Sequence, residues 1–556
     1  NVDNSYPFYY VYGGTQDNNS MGGPSRTTGE DGIVNSDWFV TNGGDGFWTA
    51  IDPENPNIVY AEAQYGNMVR YDRASGESIF IRPEPRKDEL TYRWNWNTPL
   101  FISPHNNKRL YVAANKVFRS ENRGDAWDVI SEDLTRNMDR NTFAVMGKYW
   151  SSDAVEKDAS TSLYGTIISM AESHVKENLL YAGTDDGVIQ ISEDAKTWRK
   201  VESFPDVPEY TYVSDILPSR FDENVVYASF DNILRDDFKP YILKSTDKGK
   251  SWKSIASNLP VNGTVHSIEQ DFVNKDLLFV GTEFGFFFTV DGGEKWVQLK
   301  SGMPDVPVRD IVLQKRDNDI VVATFGRGFY IIDDYSSLRN ITKASLDQDD
   351  ALFPVREGLM YVPSTGRYGQ GHTYYKAPNP DFGVSFTYYI KSVPKTKKQL
   401  RKEKEKELFE AGKPIPQLSD EDRIAESREV SPYLQFTIKN QSGNEVRKLF
   451  SSASKGMNRI TWDFTYSPFQ PLSENSKFDP TAKVAGSTFI LPGSYSVTAE
   501  LIASDSAKQI GTQPFEAKLL RNSTLPFEDS IKLVAYQIEA NEIARTIYGT
   551  YNYLQK

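Results

Sequence analysis

The chain is 556 residues long, carries a formal net charge of −13, and contains no cysteine and only four histidines. The length predicts two or three domains. The acidic balance excludes a nucleic-acid face or an anionic-membrane face, and the absent thiols exclude disulfides, thiolate catalysis and cysteine-based zinc sites. Four histidines argue against His-rich metal sites and His-based triads, so neither a metal nor a cofactor is expected. No apolar run reaches about 18 residues, so no membrane-spanning helix is predicted. The chain starts at Asn1 without an initiator Met or a signal-like segment, which suits a mature or partial piece of something longer.

In chain order, seven short runs share one pattern: a polar turn, a β-branched or aromatic core, then small residues. They are Tyr9-Tyr10-Val11-Tyr12-Gly13, Ile58-Val59-Tyr60-Ala61, Leu110-Tyr111-Val112-Ala113, Leu180-Tyr181-Ala182-Gly183, Val226-Tyr227-Ala228, Leu278-Phe279-Val280-Gly281 and Ile320-Val321-Val322-Ala323. Their spacing centres on roughly 50 residues, the length of one four-stranded propeller blade. A second signature, Ser/Thr-x-Asp-x-Gly-x-x-Trp, follows four of them. Thr289-x-Asp291-x-Gly293-x-x-Trp296 and Ser245-x-Asp247-x-Gly249-x-x-Trp252 are complete. Ser120-x-Asn122-x-Gly124-x-x-Trp127 has Asn for Asp, and Ser192-x-Asp194 to Trp198 is one residue short and lacks the Gly. The pattern is the Asp box. Its carboxylate suits backbone N–H groups of its own turn, its Gly a left-handed angle, and its Trp the space between sheets. These residues are therefore expected to be structural. The fold class predicted is mainly β: a seven-bladed propeller over residues 1–345.

Residues 346–380, rich in Gly, Pro and Tyr, are expected to form a linker. From Gly383 onward short alternating strands with turn signals predict a β-sandwich over 381–520. A charged insert at 395–429 reads as a solvated helix or helical hairpin. In the segment 521–556, Ile531, Val534, Ala535, Ile538, Ile543, Ile547 and Tyr551 recur at helical spacing and predict an amphipathic helix.

The first two blades lack the box and hold the densest unexplained residues: GGTQDNN at 13–19, SDWF at 36–39 and GGDGF at 43–47. Asp45, flanked by Gly44 and Gly46, and Asp17 and Asp37, the latter beside Trp38, read either as turn residues or as acids for sugar hydroxyls. The cluster Tyr92-Arg93-Trp94-Asn95-Trp96 reads either as core packing or as a ligand groove, and Arg327 follows the seventh run. Walker, dinucleotide, Gly-x-Ser-x-Gly and His-Glu-x-x-His patterns are absent. The arginines Arg26, Arg70, Arg93, Arg140 and Arg327 show no ordering that would make a sialidase.

These motifs, with the boxes and TFGRGFYIIDD at 324–334, resemble the bacterial sortilin-like, Asp-box (BNR) repeat family labelled "glycosyl hydrolase", and through it the two-propeller xyloglucanases and the peptide receptor sortilin. The pair Gly456-Met457-Asn458-Arg459-x-x-Trp462-Asp463 and Pro492-Gly493-x-Tyr495-x-Val497 is similar to the immunoglobulin-like domain of flagellar hook-capping type. The resemblance implies that the chain carries the second of two propellers, followed by the immunoglobulin-like sandwich and a helix. It implies a secreted, outer-surface or periplasmic protein. It also implies Asp45 as one of an inverting carboxylate pair, with the second acid on a propeller absent from this chain; Asp17 or Asp37 would then have to substitute. Binding of a peptide or polysaccharide, or docking in an envelope complex, is the leading expectation. Glycoside hydrolysis and a purely structural role in a surface assembly are the alternatives. Trp38, Arg93, Trp94, Trp96 and Arg327 are the candidate ligand contacts.

Overall fold

The computed structural model describes residues 1–155, 157, 163–342, 349–366, 374–471, 479, 482, 484–504, 506–520 and 524–555. The chain is mainly β and folds as two compact units. The first takes Asn1–Thr27, Ile33–Arg339 and the described part of Gln370–Ala377; the second takes the described parts of Thr28–Gly32, Asn340–Gly369 and Pro378–Lys556.

Among its described residues, the first unit holds seven up-and-down antiparallel sheets, five of them four-stranded, as propeller blades are. In chain order their first strands are Tyr10–Gly14, Gly46–Ile51, Leu100–Ile102, Ile167–Glu172, Tyr212–Pro218, Val265–Gln270 and Val308–Gln314; the sheets are numbered one to seven accordingly. The signature runs are the second strands of sheets two to seven and the first strand of sheet one. Leu110–Ala113, Leu180–Thr184 and Leu278–Thr282 are buried at every position. A strand covered on both faces needs a continuous apolar run, not alternation. The small residues that end the runs make room for the next sheet. A side-chain carbon on Gly183 or on Gly281 would lie 2.6 Å from Val213 or Val308 respectively.

The repeated turns fasten the outer strands. Asp247 accepts the N–H groups of Lys250 and Ser251 and the Ser251 hydroxyl, while Ser245 Oγ accepts Gly249 N–H at 2.8 Å. The hydroxyl and N–H of Ser251 lead the interactions that hold the Asp247 carboxyl down at about 2. Each full-length turn has two consecutive left-handed residues, Arg123-Gly124, Lys248-Gly249 and Gly292-Gly293; the short one has only Ala195, so it dispenses with the glycine. The Trp of each turn reaches the preceding sheet: Trp127, Trp198 and Trp296 donate Nε1–H to the carbonyls of Ile81, Ile130 and Ile255. Trp252 makes no such bond and packs against Phe204 instead.

The first strands of sheets one to three lie side by side, as do those of sheets four to seven, and a bulge recurs in five of the seven first strands. The ladder shifts register between Gly46 and Thr49, Ile167 and Ser169, Tyr212 and Asp215, Val265 and Ser267, and Val308 and Asp310. Around the bulges, side chains stitch one sheet to the next: Ser169 Oγ to Val213 O, Ser214 Oγ to Val265 O, and Ile268 N–H to Asp215 Oδ2. Sheets seven and one also meet. Tyr9 and Val11 pack with Val321, and the Tyr9 hydroxyl bonds to Asp319 at 3.0 Å.

In the second unit, a three-stranded sheet (Ala351–Leu352, Val384–Ile390, Gly456–Trp462) and a five-stranded one (Gly358–Met360, Ser506–Leu519, Gly493–Ala503, Tyr433–Asn440, Glu445–Ser452) enclose one core. Val384–Ile390 alternates between buried and half-buried residues, as its sequence requires. Trp462 is fully buried against Phe464, Tyr495 and Phe515. The segment 346–380 is not a plain linker. Its apolar residues Leu352 and Met360 join that core as strands, and Lys376–Ala377 pairs with Ile33–Val34 in the first unit; residues 346–348 and 367–373 lie outside the described residues.

The charged insert forms two helices, α1 (Lys397–Glu410), capped by Thr396, and α2 (Asp420–Arg428), capped by Ser419. Neither buries a residue, and the Arg401–Glu426 pair at 2.6 Å links them. Helix α3 (Phe527–Leu554) ends the described chain. No described helix is long and apolar enough to cross a membrane.

Candidate functional site

The turns of sheets one, two and three bring several predicted site residues into one ridge. The GGDGF segment must pass close to sheet one, and a side-chain carbon on Gly14 would lie 2.0 Å from the Gly46 backbone. That approach puts Asp45, which is 9% exposed, beneath the turn at 15–19. Asp45 Oδ1 accepts Asp17 N–H at 2.8 Å, with Asp17 held at φ 63° in the exposed turn. Asp45 N–H in turn donates to Gln64 Oε1 at 2.8 Å. Gln64 opens the turn Gln64–Gly66, whose middle residue, Tyr65, is left-handed at φ 60°, ψ 35°. An aromatic residue there is an outlier and marks a place held by its surroundings. The Tyr65 ring packs edge-on against Trp96 at 5.0 Å.

Arg93, Trp94 and Trp96 have different fates. Trp96 is half-buried, with its ring at the ridge. Trp94 is 8% exposed and stacks on Phe118 at 5.7 Å, under Gly66; it is part of the core of sheets two and three. Arg93 bonds to Asp133 at 2.7 Å, to Thr135 and to the Gly165 carbonyl, so its guanidinium ties sheet three to the segment entering sheet four. Asp37, Trp38 and Arg327 lie in other places. Asp37 accepts Val34 N–H at 2.8 Å, and Trp38 stacks on Phe329 of sheet seven at 6.2 Å, filling the space above Gly23. Arg327 is exposed in the turn between Asp319–Thr324 and Gly328–Ile332.

Sequence reasoning missed a second set of polar groups on the first strands and turns of sheets four to seven. Asp185 accepts Gly165 and Thr166 N–H and the Thr166 hydroxyl, and that hydroxyl also accepts from Asn95 at 2.7 Å. His266 lies between Glu283 at 2.8 Å and Asp231 at 3.3 Å, with Arg309 Nη1 3.2 Å from its ring. Burial pushes both the Asp185 and the Asp215 carboxyls up to about 7. Their folded values exceed the ordinary carboxylate value near 4. The neutral form therefore stabilises the fold fully below about pH 4, and that stabilisation is lost as pH rises through about 7. The expected outcome is that Asp215→Asn gains stability relative to wild type between pH 4 and 8. Melting temperatures across that range check it, and a constant difference would refute it. Among the described residues, no group of three or more His, Cys, Asp or Glu is placed to hold a metal ion.

No protein-family profile matches the chain. It is 26% identical over 270 residues to the xyloglucanase Xgh74A of Acetivibrio thermocellus, a match that covers 42% of this chain and 28% of the relative. It is similar in structure to the GH74 xyloglucanase of Xanthomonas campestris, with a TM-score of 0.40 and 15% identity over 60% of this chain and 51% of the other. The extracellular domain of the putative hybrid two-component system BT3049 of B. thetaiotaomicron has a TM-score of 0.40 at 11% identity, covering 93% and 55%. PorZ of Porphyromonas gingivalis, described as a surface component of the type-IX secretion system, also has a TM-score of 0.40 at 11% identity, covering 94% and 59%. The chain thus spans 28% of the curated relative's length and little more than half of these solved chains.

Proposed function

We propose that the first unit closes into a seven-bladed β-propeller whose ridge on sheets one to three binds a polysaccharide, and that the second is an immunoglobulin-like sandwich. The observation that carries this reading is the continuous set of contacts Asp17–Asp45–Gln64–Tyr65–Trp96. Half-buried aromatic rings beside carboxylate and amide groups offer stacking for sugar faces and hydrogen bonds for hydroxyls. The contact between sheets seven and one supports ring closure, and the 26% identity to a xyloglucanase supports a glycan as ligand. A polymer does not enter a cell, so this reading also implies a secreted or surface location.

Xyloglucan is the probe for a first test. Wild type is expected to bind it, and Trp96→Ala to weaken binding at least about tenfold, or about 1.4 kcal/mol, measured by calorimetry at constant ionic strength. Equal binding by both would remove Trp96 from the site. Hydrolysis is the second reading, favoured by the likeness of the Gly-Asp-Gly-Phe stretch at Asp45 to xyloglucanases. It requires two carboxyl groups about 6.5–9.5 Å apart. If hydrolysis is measurable and Asp45→Asn leaves its rate unchanged, that assignment fails.

A further inference from the structure

The repeats have equivalent positions, and at one of them sheet two departs from sheets four, six and seven. Thr49 pairs with Ala61, Ser169 with Gly183, Ser267 with Gly281, and Asp310 with Ala323. The next residue along is Thr184, Thr282 and Thr324 in sheets four, six and seven, Phe230 in sheet five, where Asp215 pairs with Ser229, and Glu62 in sheet two. The threonines close their own turns: Thr184 Oγ1 accepts Val188 N–H at 2.9 Å, and Thr282 and Thr324 donate to the Gly285 and Gly328 carbonyls. Glu62 does this local work too, because its Oε1 accepts Gly66 N–H at 3.2 Å. The longer side chain also reaches the next sheet, accepting Thr98 N–H at 3.4 Å. A hydroxyl at this position closes the turn without the cost of burying a carboxyl.

We propose that Glu62 is the positioning residue of the ridge: its carboxyl ties the Gln64–Gly66 turn to Thr98, ahead of Leu100–Ile102, and so sets Tyr65 against Trp96. Glu62 is fully buried, and its Oε2 has no hydrogen-bond partner. An ionised carboxylate with a bare oxygen in such a place is strongly disfavoured, so the neutral acid is the form that fits. The elements packed on it present uncharged groups: Gly66 from the turn, Thr98 from the segment entering sheet three, and Trp48 from Gly46–Ile51. Burial accordingly raises its pKa well above the usual glutamate value, against the hydrogen-bonding groups of Gly66, Thr98 and Trp48. The left-handed Tyr65 then has a physical cause, since the next residue, Gly66, is pulled onto Glu62 by its N–H while its α-carbon rests on Trp94.

The functional part of this inference rests on the ridge being the glycan site; the structural part does not. Three proteins separate them: wild type, Glu62→Gln, which keeps an acceptor of the same shape without a titrating proton, and Glu62→Thr, the residue used by sheets four, six and seven. In hydrogen exchange, Glu62→Gln is expected to keep both amides protected. Glu62→Thr is expected to keep Gly66 but to lose protection at Thr98 by about tenfold. Equal protection of Thr98 in Glu62→Thr and wild type would overturn the tie. A raised folded pKa means that the neutral acid stabilises the fold below the ordinary glutamate value near 4.3 and that this is lost as pH rises. Wild type should therefore lose melting temperature relative to Glu62→Gln from pH 5 to 9, and parallel curves would overturn the neutral form. With xyloglucan as probe, Glu62→Gln should bind within about twofold of wild type and Glu62→Thr about tenfold more weakly. Equal binding by wild type and Glu62→Thr would overturn the positioning role. If wild type itself does not bind, the glycan reading fails, while the exchange and pH comparisons still decide the place of Glu62.

Discussion

Asp271→Ala is expected to destabilise the first unit by about 3–5 kcal/mol, because it leaves a largely buried guanidinium without its counter-charge. Asp271 is fully buried just after the first strand of sheet six. It accepts Arg339 Nε and Nη2 at 2.8–3.0 Å, the Tyr335 hydroxyl at 2.6 Å, and the N–H groups of Val273 and Asn274. Burial alone would raise its carboxyl, but the bonds from Arg339 and Tyr335 outweigh burial and hold it below the usual value. The lowered value means that its stabilisation is present above the ordinary value near 4 and is lost as pH falls. Arg339 ends the main stretch of the first unit, so this one carboxylate pins Tyr335 and Arg339 to sheet six. Denaturant unfolding checks the expectation, and a loss under about 1 kcal/mol would refute it. Asp271→Asn, which retains the shape, should lose less than Asp271→Ala.

Trp296→Ala is the second large expected loss, about 3–5 kcal/mol. The ring is 2% exposed and fills the space between sheets five and six beside Tyr227, Leu259, Val265 and Phe287. Its Nε1–H donates to the Ile255 carbonyl at 2.8 Å. The repeats supply an internal control. Trp252 occupies the equivalent place in the preceding turn, but its Nε1 has no partner. Phenylalanine keeps most of the apolar area and removes the donor, so Trp296→Phe should cost about 1–2 kcal/mol more than Trp252→Phe. Urea midpoints for the pair give the comparison, and equal losses would show that the hydrogen bond contributes nothing net.

The architecture of the first unit was legible because repetition multiplies a weak signal. One Ser/Thr-x-Asp-x-Gly-x-x-Trp turn means little, whereas four, spaced by apolar runs of one kind, predict stacked sheets. Leu352 and Met360 were missed because two- and three-residue strands among Gly and Pro carry no periodicity; only their partners at Tyr388 and Leu519 define them. Asp17 and Asp45 were legible as candidates from their glycines. Their bond to each other was not, because it depends on the close passage of Gly14 by Gly46. Trp94 and Trp96 look alike in sequence, and only the position of Gly66 makes one core and leaves the other at the ridge. Glu62 did leave a trace: a carboxyl inside Ile58–Ala63, a strand otherwise apolar, conflicts with its burial. Such a local conflict is where functional residues are to be sought.

The recurrent bulge has a consequence for how this scaffold can change. A bulge contributes one residue that the ladder does not pair, and between the shifted pairs that residue is Ile168 in sheet four, His266 in sheet six and Arg309 in sheet seven. An apolar, an aromatic-basic and a cationic side chain thus occupy the same address in one repeated frame. That address works as an interchangeable socket. The three sheets thus carry different chemistry at that address while their flanking residues keep the same paired register.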